Sequence, residues 1–230
     1  MEKLKRHIRY FKRGEIILWS ASITVILISF LVFDRTNYLT LAASLVGVTS
    51  LIYNAKGNPF GQLLMVIFSL MYGVISWKCR YYGEMITYLG MTMPMAVFAL
   101  ISWLKNPYNG NRSEVRVNRI GRVETVFACI LTLIVTVVFY FILRWFETAN
   151  LFFSSISVTT SFLAVYLTFR RSAFFAVAYA ANDVVLIVLW VLAAKTDISY
   201  LSVMACFAAF LANDIYGYIS WQKMAKRQAD

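Results

Sequence analysis

The chain has 230 residues, of which 60% are hydrophobic, 17% are aromatic and only 14% are charged, and its formal net charge is +11. A soluble domain has about 25% charged residues, so the composition indicates an integral membrane protein. The basic residues lie between apolar runs instead of on one folded face, which excludes a nucleic-acid-binding protein, and the single histidine, His7, excludes a histidine zinc site or a His-based catalytic triad.

Eight apolar segments are long enough to cross a bilayer. The first, Ile16–Phe33, follows a basic stretch at residues 1–13 and is longer than the roughly 7–15 residues of a signal-peptide core. No small-x-small cleavage site follows it, so we expect a retained helix, with a cleaved signal peptide as the alternative. The other segments are 38–54, 60–77, 84–104, 124–143, 150–169, 174–194 and 199–221. The predicted fold class is all-α, with eight transmembrane helices.

The positions of Lys and Arg predict the orientation. If the N-terminus is cytoplasmic, seventeen of the 22 basic residues fall in cytoplasmic segments and five in outer ones. This asymmetry follows the positive-inside rule, so both termini are expected in the cytoplasm. The longest polar stretch, Lys105–Val123, contains Pro107 and Gly110 and is predicted to be a cytoplasmic loop. Topology alone explains its positive charge, although anionic lipid or a cytoplasmic partner could also bind it.

Short stretches on both sides of this loop resemble one another. Tyr72–Trp77 is similar to Tyr216–Trp221, and Ile101–Trp103 repeats the Ile-Ser-Trp ending. Such Trp residues are typical membrane-interface anchors, but the longer match indicates a transporter repeat. A single connecting helix gives two three-helix units the same orientation, which predicts an N-terminal extra helix followed by a parallel 3+1+3 repeat. The predicted divisions are 1–37, 38–104, 105–149, 150–221 and a tail at 222–230.

Two Asn-Asp pairs, Asn182-Asp183 and Asn213-Asp214, lie inside apolar helices. An ionisable group near the bilayer centre costs roughly 2.5–3.5 kcal/mol even on insertion scales, so it normally faces a protein interior or a wet cavity. No Lys or Arg lies at their depth, which leaves a protonated acid, a solvated carboxylate or a bound cation. The amides suit ligand groups but also suit interhelical hydrogen bonds. We predict that both pairs line a central substrate cavity.

Polar and aromatic positions at helical spacing extend this candidate site. Stripes of Ser, such as Ser154, Ser157 and Ser161, are more typical of close helix packing. Pro94 is expected to bend its helix and to free a backbone carbonyl. The candidate substrate-binding residues are Gln62, Ser69, Tyr72, Phe175, Tyr179, Asn182, Asp183, Asn213, Asp214 and Tyr216.

Several short motifs resemble the PnuC family of bacterial vitamin transporters. They are Asn58-Pro-Phe-Gly61, Tyr81-Tyr-Gly-Glu-Met85, the interval Pro94–Trp103 followed by Lys-Asn-Pro, and Asn213-x-x-Tyr-Gly-Tyr-x-x-Trp221. The resemblance covers roughly residues 38–224. It implies a nicotinamide riboside transporter in the bacterial inner membrane, with a 3+1+3 fold like that of SWEET sugar carriers, a homotrimeric assembly and no cofactor.

The family's substrate marker, Trp-x-x-Trp-x-x-x-Asn, matches this chain only at Asn182, because Phe175 and Ala178 stand at the Trp positions. The resemblance implies uptake of nicotinamide riboside by facilitated diffusion, with phosphorylation by a cytoplasmic kinase preventing its exit. The departure from the marker leaves thiamine, riboflavin or a deoxynucleoside as alternative substrates. Asp183 and Asp214 leave proton-coupled uptake as the alternative mechanism.

Two other classes of protein stay open at this point. An intramembrane enzyme would have only Asp183 and Asp214 as an aspartyl-protease-like pair, and neither lies in a Gly-rich motif. A small-molecule sensor or membrane scaffold would bind a ligand without moving it. The chain has no Gly-x-x-x-x-Gly-Lys-Ser/Thr loop for ATP. The sequence therefore favours an uncoupled transporter over an enzyme.

Overall fold

A computed structural model describes residues 10–78, 82–148 and 150–230. In these ranges eight helices are long and apolar enough to cross a membrane, which confirms the predicted all-α class. They are α1 (Arg13–Phe33), α2 (Tyr38–Asn54), α3 (Pro59–Lys78), α4 (Tyr82–Lys105), α5 (Arg122–Trp145), α6 (Leu151–Phe169), α7 (Phe175–Ala193) and α8 (Leu201–Arg227). A short 3-10 turn, Ile198–Tyr200, leads into α8, which continues past Trp221. His7, the other basic residues of 1–9 and Tyr81 lie outside the described residues.

Helix α4 changes its winding where Pro94 interrupts the backbone hydrogen bonds. It is an α-helix over Tyr82–Ile86, a π-helix over Thr87–Thr92 and again an α-helix over Met93–Lys105. The N–H of Met93 donates to the carbonyl of Tyr88, five residues earlier. Because proline has no N–H to donate, the wider turn accommodates the missing bond. The local distortion expected near Pro94 is thus a π-helical turn.

Two three-helix units exchange equivalent contacts. In the first unit α2 packs on α3 and α3 on α4, and in the second α6 packs on α7 and α7 on α8. The first helix of each unit also packs against the last helix of the other, α2 against α8 and α6 against α4. Helix α5 connects the units and packs on α6, while α1 packs against α2 and α8. This reciprocal arrangement is typical of a parallel repeat about an axis along the membrane normal.

Trp103 and Trp221 close the two units in equivalent ways. Trp103 Nε1 donates to the carbonyl of Thr168 on α6 at 2.9 Å, and Trp221 Nε1 donates to the carbonyl of Asn54 on α2 at 2.7 Å. Both side chains are fully buried, and their ring centroids are 5.4 Å apart. Neither is therefore a membrane-interface anchor, whereas Trp77 is 59% exposed. The short Ile-Ser-Trp endings at 103 and 221 mark the repeat, and the longer match that ends at Trp77 does not.

The basic loop between α4 and α5 contains a β-hairpin that the sequence analysis missed. Strand β1 (Pro107–Tyr108) pairs antiparallel with β2 (Asn111–Val115). Asn109 and Gly110 join them with φ values of 47° and 75°, as Asn-Gly hairpin turns require. The hairpin contacts the segment before α1 and the end of α8 through Tyr10 and Arg227. We call this end of the bundle the hairpin face and the other end the opposite face.

Gly61 lets α3 lie directly against α2. A Cβ at this position would be 2.2 Å from Asn54 Oδ1 and 2.7 Å from the Asn54 backbone N. Because the backbone atom cannot move aside, we expect Gly61→Ala to lower the free energy of unfolding by about 1–3 kcal/mol. The measurement is the thermal unfolding midpoint of the purified protein in detergent.

Gly217 on α8 provides the matched control for this substitution. The nearest atoms to a Cβ at Gly217 would be 3.7 and 3.9 Å away, which is ordinary van der Waals contact. We therefore expect Gly217→Ala to unfold at nearly the temperature of the unaltered protein. Equal losses in the two variants would show that the α2–α3 contact is not the cause.

Candidate functional site

A small cavity lies between the two three-helix units. It has a volume of about 30 Å³ and is lined by residues of α2, α3, α4, α6, α7 and α8. We call it the central cavity; its residues are Leu51, Met65, Phe68, Tyr88, Thr92, Ser161, Tyr179, Asn182, Asp183, Phe207, Phe210 and Asp214. Four of these were predicted from the sequence, namely Tyr179, Asn182, Asp183 and Asp214. The volume is close to that of one water molecule, so a larger ligand would need the cavity to widen.

Asn182 is held in place by hydroxyl groups of α6. Its Oδ1 accepts hydrogen bonds from Thr160 Oγ1 at 2.9 Å, Ser161 Oγ at 2.9 Å and Ser157 Oγ at 3.5 Å. These contacts fix the orientation of the amide, because only the oxygen can accept them. The side-chain hydrogen bonds described for Asn182 are all accepted by Oδ1, so its two Nδ2 donors are available to the cavity. The Ser stripe of α6 thus positions a site residue in addition to packing.

Asp183 and Asp214 bring two carboxyl groups together at the same cavity. Asp183 on α7 and Asp214 on α8 are only 3% and 4% exposed, and their side chains interact directly. Apart from this contact, Asp183 Oδ2 has no hydrogen-bond partner among the residues that the structure describes. Tyr179 lies near both acids and interacts with Thr168. Two carboxyl groups in contact can share a proton, and a cation placed beside them favours its release.

Aromatic side chains close the central cavity on both sides. Toward the opposite face, Tyr72 packs on Tyr88 with centroids 4.3 Å apart and edge-on against Trp190 at 6.3 Å. Toward the hairpin face, Phe175 packs edge-on against Trp221 at 4.8 Å, beside Trp103. The central cavity is therefore closed by aromatic rings at both ends.

Three other predicted residues lie near the cavity without lining it. Tyr72 is 4% exposed and contacts the cavity lining through Tyr88, Phe68 and Phe207, and its hydroxyl interacts with Trp190. Ser69 is fully buried beside Phe68 on α3. Phe175 belongs to the aromatic layer at the hairpin face. These residues surround the cavity.

Gln62 and Asn213 make interhelical contacts away from the cavity. Gln62 Nε2 donates to Asn54 Oδ1 at 2.9 Å, joining α3 to α2. Asn213 Nδ2 donates to Ser22 Oγ of α1 and to the Ala209 carbonyl, both at 2.8 Å. The second Asn-Asp pair is thus divided, because Asp214 faces the cavity and Asn213 faces α1.

Tyr216 lies at a separate, larger cavity at the hairpin face. This cavity has a volume of about 530 Å³ and is lined by α1, α8, the hairpin and the segment between α2 and α3. The Tyr216 hydroxyl donates to Glu15 Oε1 at 2.8 Å, and Lys56 Nζ lies 3.1 Å from Glu15 Oε2. Burial raises the pKa of the Tyr10 hydroxyl, which donates to the Ser113 carbonyl. Although the volume suits a small molecule, the cavity lies at the edge of the bundle and not between the two units.

Glu84 is a buried acid that the sequence analysis did not select. It is 8% exposed, and neither its Oε2 nor Thr148 Oγ1 has a hydrogen-bond partner among the described residues. Both side chains line a cavity of about 30 Å³ toward the opposite face. Tyr88 lies close to both Glu84 and Asp183. The signal available in the sequence was an acid just inside a predicted span.

Comparisons with known proteins agree on one family. The family described as Nicotinamide mononucleotide transporter matches residues 37–223. A nicotinamide riboside transporter PnuC of Neisseria mucosa is 23% identical over 202 residues, covering 86% of this chain and 77% of that protein. The PnuC of Haemophilus influenzae is 23% identical over 212 residues, covering 92% and 91%. A crystal structure of the vitamin B3 transporter PnuC has a TM-score of 0.83 at 21% identity, covering 95% of this chain and 94% of that one, and so has the same fold.

Proposed function

Because this chain belongs to the nicotinamide mononucleotide transporter family, that of the PnuC proteins, and is therefore a membrane transporter and not an enzyme, we propose that it takes up nicotinamide riboside by facilitated diffusion. The observation that carries the proposal is the position of Asn182. It is the one residue of the family's substrate marker that this chain keeps, and it lines the central cavity with its oxygen held by three hydroxyls. Its free amide donors suit a carboxamide oxygen or ribose hydroxyls.

The proposed mechanism is alternating access between the two three-helix units. The central cavity lies at their interface, where a rocking motion would open it to one face and then to the other. Separation of Tyr72 from Trp190 would open the opposite face, and separation of Trp103 from Trp221 would open the hairpin face. Each of these contacts joins the first unit to the second, so each breaks when the units move apart.

The proposal extends to orientation and assembly. The hairpin face is cytoplasmic in this proposal, which places both termini and most of the basic residues on the cytoplasmic side of a bacterial inner membrane. The resemblance to the PnuC family adds a homotrimer and a cytoplasmic kinase that phosphorylates the substrate and so prevents its return. Since Phe175 and Ala178 replace the two Trp residues of the marker, thiamine, riboflavin and deoxynucleosides stay as alternative substrates.

Proton-coupled uptake is a second candidate mechanism, favoured by one observation. Asp183 and Asp214 are buried acids in direct contact at the cavity, as in carriers whose acids exchange protons. Coupled and uncoupled uptake differ in whether substrate accumulates above its external concentration. The following experiment therefore separates them.

Purified protein in liposomes tests the proposed function. We expect labelled nicotinamide riboside to enter until its concentrations inside and outside are equal, because the chain has no energy source of its own. Addition of a nicotinamide riboside kinase and ATP to the liposome interior is expected to raise the total internal label above that level. Accumulation driven by a pH gradient alone would replace facilitated diffusion by proton coupling. Absence of flux for nicotinamide riboside, thiamine, riboflavin and deoxynucleosides alike would instead indicate a sensor or scaffold.

A further inference from the structure

We propose that the Asp183–Asp214 pair is the counter-charge for a substrate whose aromatic ring carries one positive charge, and that this pair selects pyridinium or thiazolium compounds over neutral ones of the same size. The inference rests on the proposed function, since it concerns the substrate of the central cavity. It adds a specificity determinant on α7 and α8 that differs from the Trp-x-x-Trp-x-x-x-Asn marker.

The protein places no basic side chain beside the two acids of the central cavity. No Lys, Arg or His is among the residues that line the central cavity. In the described parts of the chain the ion pairs are Lys56–Glu15, Arg170–Glu124 and Arg227–Glu114, and all of them lie at the hairpin face. A buried carboxylate without a partner is unfavourable in a low-dielectric interior, so the pair ionises when a cation lies beside it. A monocationic ligand would supply the missing partner.

An oxygen of Asp183 without a hydrogen-bond partner also supports a ligand contact at this carboxyl group. Asp183 is 3% exposed, it lines the cavity, and its Oδ2 receives no N–H or O–H donor from the residues described. Nearly all buried polar atoms in proteins have a partner, so an exception at a cavity indicates a group that a ligand completes. Asn182, one position earlier, provides donors to the same cavity, so the two residues together suit a ligand with both acceptors and a positive charge.

The remaining lining provides aromatic surface for a charged ring. Phe68, Phe207 and Phe210 line the cavity, with centroids 5.6 Å apart for Phe68 and Phe210 and 5.5 Å apart for Phe207 and Phe210. Tyr88 and Tyr179 complete this surface. A cationic ring is attracted to the faces of such side chains, and the attraction increases when the site is desolvated. Aromatic rings beside carboxyl groups thus form a site for an aromatic cation.

Glu84 places a further acid on the route from the opposite face. It is 8% exposed with Oε2 unpartnered within the described ranges, and Tyr88 lies between it and the Asp183–Asp214 pair. Acids spaced along a narrow passage raise the local concentration of cations and exclude anions. The placement of Glu84 therefore agrees with a cationic substrate that enters past Tyr88.

The test compares two ligands that differ mainly in charge. Nicotinamide riboside has a pyridinium ring, whereas its 1,4-dihydro form is neutral and nearly the same size. In calorimetry we expect the unaltered protein to bind the cation at least about tenfold more tightly than the neutral form. A single desolvated charge contact contributes a difference of this size. We expect the Asp183→Asn, Asp214→Asn double variant to lose that preference while its affinity for the neutral form changes less than about twofold.

A charge change away from the cavity provides the control. Glu114→Gln removes an acid at the hairpin face, so the preference for the cation should persist. Because Asn is close to Asp in shape, elution as a single folded species is expected for the double variant. An unchanged preference in the double variant, or equal binding of both ligands by the unaltered protein, would overturn the proposal.

Transport and binding measurements with thiamine, riboflavin and neutral nucleosides distinguish this inference from the proposed function. Transport of a neutral nucleoside or riboflavin without preference for a cation would overturn the counter-charge role and leave the transporter intact. Binding of thiamine with loss in the double variant would support the counter-charge role and replace nicotinamide riboside as the substrate. Loss of gradient-driven accumulation in the double variant, with the cation preference retained, would assign the pair to proton coupling and overturn the proposal.

Discussion

Replacement of Asn182 by Leu is expected to lower substrate affinity by about 100-fold, which amounts to loss of uptake at ordinary substrate concentrations. The change removes both amide donors from the central cavity, and each hydrogen bond to a ligand contributes about 0.5–1.5 kcal/mol. It also leaves the hydroxyls of Thr160 and Ser161 without their acceptor. Calorimetry and liposome flux measure the effect, and normal uptake by this variant would show that the central cavity is not the substrate site.

The same substitution at Asn213 provides a contrasting result. Both Asn residues were predicted to contact substrate, but Asn213 donates to Ser22 on α1 and does not line the cavity. We therefore expect Asn213→Leu to lower the unfolding midpoint by loosening α1, with a much smaller effect on affinity than Asn182→Leu. Equal losses of affinity in the two variants would restore the prediction that both pairs face the substrate.

Replacement of Lys56 by Met is expected to produce the largest loss of stability. Glu15 is 2% exposed, and Lys56 Nζ lies 3.1 and 3.3 Å from its two carboxylate oxygens. Removing the cation leaves a buried carboxylate whose remaining donors, among the residues described, are the Tyr216 hydroxyl and the Lys12 N–H. Breaking a buried pair in this way costs about 3–5 kcal/mol. Thermal unfolding in detergent measures the change.

A more exposed ion pair on the same face provides the control. Arg227 pairs with Glu114, but its side chain is 60% exposed, so Arg227→Met is expected to cost at most about 1 kcal/mol. The double change Glu15→Leu, Lys56→Met should recover part of the loss, because it removes the unpaired charge. A double variant less stable than Lys56→Met would mean that the carboxylate contributes mainly through Tyr216.

The membrane fold could be predicted from the sequence because its signal is strong and local. Each span needs a long apolar run, which is visible in the sequence, whereas the orientation inferred from the loop charges stays a prediction. The internal repeat was a weaker signal. The longer match placed Trp77 beside Trp221, whereas the equivalent contacts belong to Trp103 and Trp221. Composition could not make this distinction, because an interface Trp and a buried Trp look alike in the sequence.

The candidate site could be predicted only in part, for a geometric reason. Polar residues in apolar helices are conspicuous, so Asn182, Asp183 and Asp214 were found. Adjacent residues on a helix point about 100° apart, so a pair can share a cavity, as Asn182 and Asp183 do, or divide, as Asn213 and Asp214 do. The position of α1 decides which of them faces inward, and no local pattern reveals it. Glu84 was missed because acids near the end of a span usually lie at the membrane surface, whereas here the connection between α5 and α6 covers it.

The contacts of α8 determine the order in which the protein can assemble. This last helix reaches back to the first two, through Asn213 to Ser22, Tyr216 to Glu15 and Trp221 to the Asn54 carbonyl. During synthesis α1 and α2 enter the bilayer long before α8 leaves the ribosome. Until then their polar groups have none of the three partners that α8 brings, so a nascent chain truncated before Leu201 exposes them to membrane chaperones and proteases. The arrival of α8 is thus also the step that buries these polar groups and removes them from the reach of chaperones and proteases.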